Sequence, residues 1–168
     1  MADLAGMTIR RLLLIRHAKA AQGGPDEDRP LTERGCRDAA AIGRWLIAND
    51  AVPDLVLVSP ARRAAETWQQ AASVLPAPPA LLTEPRIYDN TPASVLAAIH
   101  EVSGTVRTVA VVGHNPAVQQ LAGLLDPTAG ELAGGCPTSA VVVFGVPAPF
   151  AELRAGSARL TGFAAPRG

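Results

Sequence analysis

Arg11-Leu12-Leu13-Leu14-Ile15-Arg16-His17-Ala18-Lys19 is the stretch on which the fold turns. Its first five residues form a short apolar run, and polar groups follow at once. A run that is apolar on both faces suits a strand sandwiched between helices in a mostly parallel sheet. Residues 55–58 (LVLV), 106–112 (VRTVAVV) and 140–146 (AVVVFGV) read the same way. A weaker edge strand is expected at 157–163.

Helices are expected between these strands. After Thr32 the apolar residues recur at Ala39, Ile42 and Leu46, and Asn49-Asp50 stops the pattern. After Ser59 they recur at Ala61, Ala64, Ala65, Trp68, Ala71, Ala72 and Leu75, a helical stripe. After Thr91 they are Val95, Leu96, Ile99 and Val102; after Asn115 they are Ala117, Leu121, Leu124 and Leu125. Ser59-Pro60, Thr91-Pro92 and Asn115-Pro116 each offer a capping side chain followed by Pro at the first helical position. Trp45 and Trp68 lie on helix faces and are expected in the core. Strand alternating with helix predicts an α/β fold: a three-layer α/β/α sandwich around a mostly parallel central sheet.

Composition bounds the function. The 168 residues suit one domain spanning 1–168, with 1–8 and 164–168 expected to fray. The Pro-rich stretch 76–79 reads as a loop. At 48% hydrophobic the chain can bury a core, but no apolar run reaches the roughly 18 residues of a membrane span. Met1 to Gly6 is too short and polar to read as a signal peptide. Fifteen basic and fifteen acidic residues argue against a broad nucleic-acid or acidic-membrane surface. Cys36 and Cys136 have no metal or redox spacing and suit a reduced, cytoplasmic setting. Fourteen of the basic residues are Arg and only Lys19 is Lys. That bias means a single Arg carries little information unless a motif singles it out.

The motifs sit just past the strands. Arg16-His17-Ala18-Lys19 follows the first, Ser59 to Thr67 (SPARRAAET) follows the second, and Gly113-His114-Asn115-Pro116 follows 106–112. In such sheets ligands bind beyond the carboxyl ends of the strands. Two of three histidines and several arginines therefore converge on one sheet edge. Guanidinium forks match phosphate oxygens, and helix starts add N–H donors, so the chemistry is that of a phosphate site. There is no Gly-x-x-x-x-Gly-Lys loop, no His/Asp/Glu set at metal spacing and no Cys-x5-Arg loop. The nucleophile that remains is an imidazole.

Arg16-His17 after an apolar strand, Ser59-x-x-x-Arg63-Ala64-x-x-Thr67 and Val112-Gly113-His114-Asn115-Pro116 together resemble the histidine phosphatase superfamily. Arg-His-Ala in place of the usual Arg-His-Gly, with Asp28-Arg29-Pro30-Leu31-Thr32-Glu33-Arg34-Gly35, is similar to its SixA-type phosphohistidine phosphatase branch. The resemblance spans residues 10 to about 145 and implies a phosphoglycerate mutase-like fold. It implies that His17 is the nucleophile, that Arg16 and Arg63 clamp the phosphoryl group, and that His114 is a second phosphate ligand. The motif selects Arg63 over Arg62, which is read as solvated or salt-bridged. Arg29 is expected to flank the pocket. Two carboxylates compete as general acid: Asp89, ahead of the third helix, and Asp26, in the loop after His17. Lys19 is read first as a solvated loop residue, with added positive potential near the nucleophile as the alternative, and His100 as a surface or groove residue. No cofactor or metal is expected. The chain lacks room for the lid of longer family members. That favours hydrolysis of a bulky phosphorylated substrate, a phosphohistidine-bearing protein first. A broad-range small-molecule phosphomonoesterase and a non-catalytic phosphate-binding module are the alternatives.

Overall fold

Four consecutive residues of strand β1 (Arg10–Arg16), Leu12 to Ile15, have no exposed surface, which fixes this strand inside the sheet. The structure is a computed structural model, and it describes residues 8–168. In chain order β1 is followed by α1 (Glu33–Ala48), β2 (Leu55–Val58), α2 (Arg62–Ala72), β3 (Ala80–Thr83), α3 (Pro85–Tyr88) and α4 (Pro92–His100). Then come β4 (Thr108–Gly113), α5 (Ala117–Leu125), β5 (Val141–Val146) and β6 (Arg159–Ala164). The six strands lie in the order β3-β2-β4-β1-β5-β6. β3, β2, β4 and β1 are parallel; β5 is antiparallel to β1, and β6 to β5, so β5 alone is reversed.

The period-2 alternation of β1 divides the core between two faces. Leu12 and Leu14 pack with Val95 and Ile99 of α4 and Val118 and Leu121 of α5. Leu13 and Ile15 pack with Ile42 and Leu46 of α1 and Trp68 and Ala71 of α2. This is the three-layer α/β/α sandwich expected from the sequence. Trp68 is buried, whereas Trp45 is half-buried against the same cluster. α1 and α2 touch closely: a Cβ at Gly43 would collide with the carbonyl oxygen of Ala71.

The differences from the sequence reading are local. β3 was not foreseen, because all four of its residues are exposed, Leu81 and Leu82 included. Thr91 caps α4 as expected, accepting from the N–H of Ser94, with Pro92 in the first turn. Ser59 and Asn115 lie one position or more before the helix boundary: Ser59 Oγ accepts from the N–H of Ala61 (3.2 Å) and Asn115 Oδ1 from the N–H of Gln119 in the first turn of α5 (3.3 Å). α2 starts only at Arg62 and α5 at Ala117, and both side chains also have tertiary partners. Residues 1–7 lie outside the described residues, and Thr8 is exposed. The other end does not fray: the N–H of Gly168 donates to Oδ1 of buried Asp38 (3.0 Å), and Arg167 donates to the carbonyl of Thr138 (2.9 Å). Among the described residues no helix is long and apolar enough to cross a membrane.

Candidate active site

Strand register brings the motifs together. Arg16 pairs with Gly113 across β1 and β4, so His17 and His114, one residue on, leave the sheet side by side. Val58 pairs with Val112 across β2 and β4, which sets Ser59 and the start of α2 beside them. A cavity of about 520 Å³ opens here, beyond the carboxyl ends of the parallel strands. Its wall includes Arg16, His17, Lys19, Asp26, Arg29, Arg63, Asn90, His114 and Asn115.

The two imidazoles are 5.2 Å apart between ring centroids and tilted by 56°. Nδ1 of His17 lies 2.7 Å from the carbonyl oxygen of Ala18. A carbonyl can only accept, so Nδ1 carries the proton. Burial, with Arg63 and Arg16 nearby, lowers the His17 pKa to about 4, so the ring is neutral at pH 7. Nε2 therefore keeps a free lone pair. The Ala18 carbonyl is itself held in place, because the Ala18 N–H donates to Oγ1 of Thr67 on α2 (3.0 Å). His114 is lowered further, to about 3, first by burial and then by His17 and Arg63. Its Nε2 lies 2.8 Å from Oγ of Ser59, a residue with no exposed surface. Its Nδ1 is buried without a partner.

The guanidinium groups are fixed by backbone. Arg16 donates from Nη1 to the carbonyl of Cys136 (2.9 Å). Arg63, in the first turn of α2 and 6% exposed, donates to the Asp26 carbonyl (2.7 Å) and to Asp26 Oδ2 (3.1 Å). Yet Nε of Arg16 and Nε of Arg63 are buried and unpaired, like Nδ1 of His114. Native proteins rarely leave buried polar groups unpaired, because each costs about 1–3 kcal/mol. Three of the five such atoms among the described residues belong to this one cavity, an arrangement that can receive an oxyanion.

The profile of the histidine phosphatase superfamily (branch 1) matches residues 12–87. The Escherichia coli K12 phosphohistidine phosphatase SixA is 29% identical over 134 residues, 78% of this chain and 82% of its own. A solved structure from Nakamurella multipartita assigned to SixA superposes with a TM-score of 0.85 at 29% identity, covering 94% of this chain and 96% of that one.

The chain belongs to the histidine phosphatase superfamily.

The Mycobacterium tuberculosis protein Rv1276c is more similar in sequence, at 38% identity over 162 residues, 91% of this chain and all of the relative. A SixA structure with bound tungstate superposes with a TM-score of 0.73 at 27% identity over 93% of this chain and 97% of that one. Histidine phosphatase superfamily membership and these SixA-type likenesses make the chain a phosphatase.

Within this phosphatase, His17, Arg16, Arg29, Arg63, His114 and Asp26 all line the cavity. Asp89 does not: it is exposed at the end of α3, and its neighbour Asn90 lines the wall instead. Asp26 is in the cavity but cannot serve as an acid in this state. It accepts from Tyr88 Oη (2.7 Å), Arg63 Nη2 (3.1 Å), and Arg29 Nε and Nη2 (3.3 and 3.2 Å). The Tyr88 hydroxyl foremost, then the two guanidiniums, hold its carboxyl at about 2, so it is ionised at any working pH. Arg62 pairs with Glu66 at 2.7 Å, outside the cavity. His100 donates to or accepts at no cavity group; its Nε2 meets the carbonyl of Leu153. Tyr88 was missed. Its ring stands edge-on to His114, with centroids 5.9 Å apart. It is the chain's only tyrosine, and it directly precedes the carboxylate that drew attention.

Proposed function

We propose that the chain is a metal-independent, cytoplasmic phosphatase that takes the phosphoryl group of a protein phosphohistidine onto His17. The observation that carries this reading is the hydrogen bond from His17 Nδ1 to the Ala18 carbonyl, which leaves Nε2 free in a cavity of arginines. In the first step Nε2 attacks phosphorus, the new N–P bond forms, and the substrate's own N–P bond breaks. Arg16, Arg63 and His114 hold the equatorial oxygens, and Arg29 flanks them. In the second step water attacks, phosphate leaves, and the water protons pass to phosphate and solvent. His17 returns to its neutral form.

The leaving group decides between substrate classes. An alkoxide needs a proton as it departs, and the one carboxyl on the cavity wall, Asp26, has none to give. An imidazole whose second nitrogen is protonated leaves neutral without help. This favours phosphohistidine over alkyl phosphates, since a positioned acid is worth about 10²–10⁴ in rate. The test is phosphate release in the presence of a chelator. A phosphohistidine peptide and p-nitrophenyl phosphate, whose phenolate also leaves readily, should be hydrolysed at least about a hundredfold faster than glycerol phosphate. Faster release from glycerol phosphate supports the small-molecule reading. Binding without any turnover supports the non-catalytic one.

The buried imidazoles also set a pH dependence. His17 is a nucleophile only when neutral, and it is neutral above about pH 4. After allowance for ionisation of the substrate, kcat/KM should stay level down to pH 5 and fall only toward 4. A limb centred near 6.5 contradicts the burial argument. Unfolded, both rings titrate near 6.5. Between 6.5 and about 4 for His17, and down to about 3 for His114, the unfolded chain binds more protons, so the stability present above 6.5 is lost as pH falls through that window.

A further inference from the structure

We propose that Lys19 forms a second anion subsite, so that this phosphatase acts on phosphoryl compounds carrying a carboxylate close to the phosphoryl group. The inference rests on the phosphatase reading of the cavity and adds the second recognised group.

Lys19 is exposed and lines the same cavity as His17. Among the described residues no carboxylate forms a salt bridge with it; of the four basic residues on the cavity wall, Arg29 and Arg63 share Asp26, Arg16 is tied to the Cys136 carbonyl, and Lys19 has no carboxylate partner. Its backbone is firmly placed. The Lys19 carbonyl accepts from the N–H (2.9 Å) and Oγ1 (3.3 Å) of Thr32, and Ala20 bridges to Leu31. α1 carries a glycine, Gly35, where a Cβ would run into that same carbonyl oxygen. The loop is thus seated on the start of α1, with the exposed Lys19 side chain on the cavity wall beside Gln22 of the same loop.

Charge leads to the same place. The wall holds Arg16, Arg29, Arg63 and Lys19 against one carboxylate, Asp26, while both histidines are neutral at pH 7. A phosphoryl dianion cancels two of the three net positive charges and leaves one. Asp26 already occupies Arg29 and Arg63, and the unpaired donors assigned to the phosphoryl group sit on Arg16, Arg63 and His114. The charge left over is the ammonium. Space is available too: at about 520 Å³ the cavity holds far more than a phosphoryl group, which has the bulk of a few waters of about 30 Å³ each. The chemistry of the residue fits. Arginine supplies a fork suited to phosphate, and this chain uses it at every other basic position. An ammonium is a compact point charge on a flexible stem, which suits a lone carboxylate.

The experiment compares matched substrates. One pair is 4-carboxyphenyl and 4-carbamoylphenyl phosphate; the other is two phosphohistidine peptides that differ only in Glu or Gln beside the phosphohistidine. The quantity read is the acid-to-amide ratio of kcat/KM in the wild type divided by that in Lys19→Met. Loss of a cation near phosphorus lowers both members of a pair, so the ratio isolates the second anion. We expect a quotient of about five at low salt in at least one pair, shrinking as salt is raised, with Lys19→Arg keeping most of it. A quotient confined to the phenyl phosphates assigns the subsite to a small acid, and one confined to the peptides assigns it to an acidic protein substrate. A quotient near one in both pairs overturns the subsite while leaving the phosphatase reading intact. No turnover of any of the four compounds overturns both.

Discussion

His17→Ala is expected to lose more than about a thousandfold in phosphate release from p-nitrophenyl phosphate, with the fold retained. His17 combines a free lone pair on Nε2 with burial next to three guanidiniums. Its proton is pinned on Nδ1 by the Ala18 carbonyl, and its charge is suppressed by burial. His114 has the other role: its Nε2 is engaged with Ser59, and its unpaired Nδ1 is the nitrogen assigned to the phosphoryl oxygens. A large loss alone is ambiguous, because the ring is 9% exposed and its removal leaves a hole. His17→Asn keeps most of the volume and a hydrogen-bonding group, so it should retain the thermal stability of the wild type while staying inactive. Activity within tenfold of the wild type in either variant would remove His17 from the chemistry.

Arg63→Lys should cost about 10²–10³ in kcat, or about 2.7–4 kcal/mol of transition-state stabilisation, even though the charge is kept. The fork is what matters. Arg63 uses its two terminal nitrogens on Asp26 and holds Nε in reserve, buried and unpaired. A lysine ammonium cannot satisfy Asp26 and a phosphoryl oxygen at fixed angles together. Arg62→Ala is the control. Its guanidinium is exposed and bound to Glu66, so a change of less than about threefold is expected. Equal losses in the two variants, read by steady-state kinetics, would mean that the helix start rather than Arg63 is responsible.

The sequence carried the architecture because apolar runs and capping residues are local signals. β1, β2, β4 and β5 were legible as buried runs, and the motif residues at their ends converged as strand order requires. β3 was not, since an exposed edge strand has no apolar pattern and is held by backbone pairing to β2. Ser59 and Asn115 read as caps from local pattern and do accept N–H groups at the helix starts, but each also has a tertiary partner the pattern does not show: Ser59 meets His114, and Asn115 donates to the Cys136 carbonyl. The site showed the same limit. His17, Arg16, Arg63 and His114 lie at strand ends or in a first helical turn, where position follows from pattern. Tyr88 and Asp26 meet across 62 residues through the orientation of a single helical turn, which nothing local encodes. Asp89 competed with Asp26 because of its place in the order of motifs, and the turn that carries it points Tyr88, not the carboxylate, toward the site.

The covalent step is tested most directly by stopping turnover of a labelled phosphohistidine peptide within the first cycle and mapping phosphate on the protein under alkaline conditions. The account predicts one phosphoryl group per chain, on the peptide containing His17, stable in alkali, discharged by acid, and formed and consumed fast enough to lie on the reaction path. Turnover with no protein-bound phosphate, or label on another residue, contradicts it.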